Sequence, residues 1–183
     1  RSRIIGRPVV YIVKDVYTRM VVGVYVGLEG PSWIGAMMAL ENTTTNKKEF
    51  CKKLEIDIED EDWPCEHLPK RIKADRGEME SKNADNLVSS LGIQIINAPP
   101  YRADLKGIVE RHFRILNERI SQHWMPGIVH KAFKERGRRD YRLDAKLTLK
   151  AFERVIVLTI LEHNNSVLNG YALEKEMMNI NLL

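Results

Sequence analysis

Only two cysteines, Cys51 and Cys65, occur among the 183 residues. That excludes a disulfide-stapled scaffold, leaves room for one optional bridge, and makes a reducing compartment the default. Long apolar runs are also lacking. The two longest, Val9 to Val13 and Val155 to Leu161 with Thr159 inside it, fall far short of the roughly 20 residues that span a bilayer. The basic start Arg1-Ser2-Arg3-Ile4 is not followed by an apolar stretch with a small-residue cleavage site, so it is no secretory signal. There is no glycine-rich loop of the P-loop or dinucleotide kind, and the five histidines form no nucleophile pattern with a serine or cysteine. Cys65-Glu66-His67 and Cys51 could supply zinc ligands, but they lack paired-ligand spacing. No internal repeat or low-complexity tract is visible.

What remains is an ordinary globular composition, 44% hydrophobic and 30% charged, in a length that suits one domain with a real core. The net charge of +4 is small but unevenly spread. Residues 41–62 carry four lysines against eight carboxylates, a net of −4, whereas residues 100–154 carry fourteen basic residues against seven acidic ones, a net of +7. The basic half is where a polyanion would sit. Either block taken alone is also what a solvated face looks like.

Pro8-Val9-Val10-Tyr11-Ile12-Val13 and Met20-Val21-Val22-Gly23-Val24-Tyr25-Val26 are β-branched and aromatic runs joined by a short polar link, which predicts a β-hairpin. A helix is expected over 33–40, started by Pro31 or Ser32, and another over 46–54, followed by an acidic surface insertion up to Pro64. Arg71-Ile72-Lys73-Ala74 predicts a strand ending on Asp75. Ser81 is expected to cap a helix over 82–91 closed by Gly92, with Ile93-Gln94-Ile95-Ile96 the next strand. Two prolines and a glycine make residues 98–107 irregular. Helices over 108–123 and 148–163 complete the chain, separated by Pro126-Gly127 and the basic stretch 131–142. This order predicts an α/β domain built around one mixed sheet. Trp33, Trp63 and Trp124 are expected to pack rather than stack on bases.

Two carboxylates stand out by position. Asp75 ends a strand at the mouth of a sheet, and Glu110 opens a helix after an irregular loop, thirty-five residues later. Carboxylates brought together repel unless a cation lies between them, and Mg²⁺ takes one or two carboxylates plus water and phosphate oxygens. Two such ions about 4 Å apart serve an in-line phosphoryl displacement. A turn or cap residue at Asp75 and a dipole-favoured glutamate at Glu110 are the plain alternatives.

The surrounding residues favour the first reading. Lys73-Ala74-Asp75-Arg76-Gly77-Glu78, Asn97-Ala98-Pro99-Pro100-Tyr101-Arg102 and Lys106-Gly107-Ile108-Val109-Glu110-Arg111 resemble the second and third acidic motifs of retroviral-integrase-like DDE transposases, as does the 35-residue gap. Residues 10–27, followed by Gly30-Pro31-Ser32-Trp33-Ile34-Gly35-Ala36-Met37-Met38, look most like TnsB-type, Mu-like transposases. The resemblance covers residues 1–165 as a catalytic core and leaves 166–183 as a C-terminal extension or the start of a linker.

The resemblance implies a ribonuclease-H-like mixed sheet flanked by helices, two Mg²⁺ or Mn²⁺ ions on Asp75 and Glu110, and cleavage at transposon 3′ ends followed by strand transfer to target DNA. It further implies homo-oligomers on DNA, a second nuclease subunit and an ATPase target selector as partners, and a bacterial cytoplasm, nucleoid-associated. Arg114 and Asn117, four and seven residues after Glu110, match positions that contact DNA near the reacting end, with Asn117 replacing the commoner lysine. Pairing of Arg114 with Glu110 or Glu118 is the alternative. Tyr101, Arg102 and Lys106 would approach the scissile phosphate from the 98–107 loop, and Arg136, Arg138 and Arg139 would hold backbone phosphates.

One departure concerns the family's first Asp. Only two strands are expected before Trp33 where the fold has three, so the chain reads as a piece excised from a longer protein and lacking the first strand. Asp15 then becomes a hairpin-turn residue, and the isolated chain is expected to be inactive. Two rival functions stand beside transposition: a nuclease of the same fold that cuts without joining, and an inactive module that binds DNA or a partner.

Overall fold

The β-branched runs at the start of the chain pair as the sequence predicts. In the computed structural model, which describes residues 5–30, 32–74, 90–97, 113, 114, 118 and 145–167, strands β1 (Val9–Lys14) and β2 (Val21–Gly27) form an antiparallel hairpin. Side-chain alternation gives it two working faces. On one, the cross-strand pairs Val10–Val26 and Ile12–Val24 enter the main core. On the other, Tyr11 opposes Tyr25, with ring centroids 6.5 Å apart. The register shifts between Val13 and Lys14, so that Lys14 pairs with Val21.

Helix α1 (Trp33–Thr44) lies against the tyrosine face. Ser32 caps it, its Oγ accepting from Gly35 N at 3.3 Å, while Ser32 N donates to the Tyr11 hydroxyl. The approach is close because glycine faces the helix. A Cβ on Gly23 would sit 2.4 Å from the Ala39 carbonyl oxygen and 2.7 Å from Thr43 Cγ2. At the helix's carboxyl end, Lys47 Nζ donates to the carbonyls of Asn42 and Thr45, placing a cation where the helix dipole favours one. Asn46 caps the short helix α2 (Lys47–Lys53), its Oδ1 accepting from Glu49 N at 3.0 Å.

The acidic stretch that follows differs from the expected surface insertion. Ile56, Ile58 and Trp63 are buried, while the carboxylates between them point outward. The segment therefore alternates and packs its apolar half into the core. Trp63 meets Phe50 edge-on at 6.3 Å and donates from Nε1 to the Val21 carbonyl at 2.7 Å. A 3₁₀ turn (Asp60–Asp62), held by reciprocal bonds between Glu59 and Asp62, leads into it.

Helix α3 (Leu149–Asn164) closes the same core from far along the chain. Thr148 Oγ1 accepts from Ala151 N at 3.1 Å, and Ile156, Val157 and Ile160 are buried against the hairpin, α2 and Trp63. Its final residue, Asn164, grips β2. Oδ1 accepts from Val21 N at 2.9 Å and Nδ2 donates to Val21 O at 3.0 Å.

A second ladder stands apart. β3 (Arg71–Ala74) runs parallel to β4 (Gln94–Asn97), with Ala74 opposite Asn97 at the carboxyl end. Gly92, at φ +64°, lies in the left-handed region that ends helices, directly after the helical Ser90 and Leu91. Ile93 and Leu40 form a small cluster here with Trp33, Met37, Ile72 and Ile95, so α1 packs on both ladders. Among the described residues the sheet is two separate two-stranded ladders rather than the single one expected. The α/β character stands.

Candidate functional site

Parallel strands end their chemistry-bearing loops on one side. Ligands of open α/β sheets bind outside the carboxyl ends of such strands. Here Ala74 and Asn97 face each other in that position. Asp75 follows Ala74 directly, and Asn97 is the first residue of the motif segment that runs on toward Glu110. Both motif segments thus depart from neighbouring strand ends.

Asp75, Glu110, Tyr101, Arg102, Lys106, Asn117, Arg136, Arg138 and Arg139 themselves lie outside the described residues, as does the basic stretch 131–142. Arg114 is described: it is helical and exposed, next to a half-buried Phe113, and Glu118 is helical too. That agrees with a helix in which position 113 turns inward and position 114 outward. Among the described residues, no three His, Cys, Asp or Glu are grouped to hold a metal ion.

Asp15 has a structural occupation. Its Oδ2 accepts from Thr18 N at 2.6 Å and from Thr18 Oγ1 at 2.8 Å, and its own N–H donates to the Met20 carbonyl at 2.9 Å. This is the Asx-type turn expected of a hairpin aspartate. Arg19, with φ 63°, completes the reversal.

Sequence reasoning missed two polar assemblies. In the first, Lys14 Nζ lies 3.2 Å from His163 Nε2, which is 3.2 Å from the Arg19 carbonyl oxygen. Burial, then the Arg19 charge, lowers Lys14 to about 8. No local signal could reveal a contact across 149 residues. The second is a cleft of about 290 Å³ beside Lys47, Trp63, Cys65 and His67. Lys47 Nζ stands 5.5 Å from the Trp63 ring centroid, and burial brings this amine to about 8. Burial also pushes Cys51 up to about 11 and raises Cys65. Both free thiols are thereby kept protonated and poorly nucleophilic.

Residues 1–127 match the family model described as TnsB C-terminal domain. The chain belongs to that family. The matched span holds the hairpin, α1, both ladders and both motif segments. Against the Transposon Tn7 transposition protein TnsB of Escherichia coli, this TnsB-family chain is 46% identical over 166 residues. The match takes in 90% of the chain and 24% of the relative, so the chain spans about a quarter of that protein's length. None of the chain's described helices is long and apolar enough to cross a membrane.

Proposed function

We propose that this TnsB-family chain supplies a DDE-type catalytic core of ribonuclease-H-like fold, which cleaves at transposon 3′ ends and joins the freed 3′ hydroxyl to target DNA. The observation that carries the reading is the parallel ladder. Its paired carboxyl ends, Ala74 and Asn97, launch the two motif segments that contain Asp75 and Glu110 from one side of the molecule.

Asp75 and Glu110 are the residues that would hold Mg²⁺ or Mn²⁺, since carboxylate oxygens are the hard donors these ions take. Two ions so held supply activation of the attacking oxygen and stabilisation of the leaving one, without a covalent enzyme intermediate. Arg114 faces solvent one helical turn beyond Glu110 in sequence, a position from which it serves as a DNA contact. Tyr101, Arg102 and Lys106 position the scissile phosphate, and Arg136, Arg138 and Arg139 add backbone contacts that set affinity rather than sequence choice. Asp15, bonded to Thr18, is left out of the ligand set.

The decisive experiment replaces Asp75 with Ala in the full-length protein. Both 3′-end cleavage and strand transfer fall below detection while transposon-end binding stays within a few-fold of wild type. Robust strand transfer by this variant would sink the assignment. Supplying pre-cleaved 3′ ends with target DNA separates a transposase from a nuclease that never joins.

A further inference from the structure

We draw no further inference here: the strongest candidate, the cleft of about 290 Å³ beside Lys47, Trp63, Cys65 and His67, carries nothing, because Lys48 pairs with Glu59, Asn46 with Glu66 and Lys47 with the Asn42 and Thr45 carbonyls, and nothing in the structure shows what would occupy it.

Discussion

The β1–β2 hairpin and the β3–β4 ladder are both two-stranded, yet they are finished very differently. The hairpin is covered by α1 on its tyrosine face and by α3, α2 and Trp63 on the other. Backbone groups of β2 that β1 does not take are closed by side chains. Asn42 Oδ1 accepts from Val24 N at 3.1 Å, Asn164 takes both groups of Val21, and Trp63 shares the Val21 carbonyl. An amide both donates and accepts, so Asn164 continues the ladder for one residue and then stops it, a way to blunt a sheet edge. The parallel ladder has four residues per strand, and among the described residues its buried cluster centres on Leu40 and Ile93. Among the described residues the larger buried cluster lies at the hairpin, and the motif segments leave from the other ladder. Sites commonly sit where opening costs least, on a platform that does not move.

The largest expected effect tests that division directly. Trp63→Ala removes a fully buried indole and a partner of Val21, and costs about 3–5 kcal/mol. Ile93→Ala, in the smaller cluster, costs about 2 kcal/mol, at the low end for such a truncation. Urea denaturation followed by circular dichroism measures both. Equal losses would erase the distinction between platform and ladder.

A smaller effect sharpens the account of the closed edge. Asn164→Leu keeps the branched heavy-atom shape but strands Val21 N–H, at a cost of about 1–3 kcal/mol. Asn164→Asp retains an acceptor for that N–H and loses less. If both variants match wild type in the same melts, the amide is not what terminates β2.

The smallest effect is a pH slope. Lys14 and Lys47 are each lowered from 10.5 to about 8 by burial first, so the unfolded chain binds more protons than the folded one between those values. Stability therefore rises with pH from about 8 toward 10.5 through these two groups. Cys51, raised from 9.0 to about 11 by burial, works the opposite way above pH 9.0, where folding holds a proton that the unfolded chain has released. The clean window is pH 8–9. Lys47→Met flattens the rise there, and Lys14→Met does so again. An unaltered slope in both would mean that neither amine is depressed in the folded protein.

Local structure is largely legible along the chain. β-branched runs mark β1 and β2, Ser32 marks the cap of α1, and Gly92 marks a helix end. Asp15 is readable as a turn residue because an aspartate there bonds its own backbone within a few positions. The 55–64 segment reads as surface and is not, since its dense carboxylates mask the spacing of Ile56, Ile58 and Trp63, whose partners Ile156 and Ile160 lie about a hundred residues away. Of the candidate site, the motifs around Asp75 and Glu110 are legible through their resemblance to those of the family, and the fold adds the parallel pairing of Ala74 with Asn97.

The sequence by itself determined which of the described segments become strands and helices and where several of them begin or end. These follow from propensities and bonds that act within a few residues of one another. Only the tertiary structure decided that Asn164 and Trp63 close β2, that α1 serves both ladders, and that Lys14 and Arg19 meet His163. Those pairings join residues tens to more than a hundred positions apart. They form because burying the hairpin's two faces brings the ends of distant elements to the same edge, and no local rule carries that information.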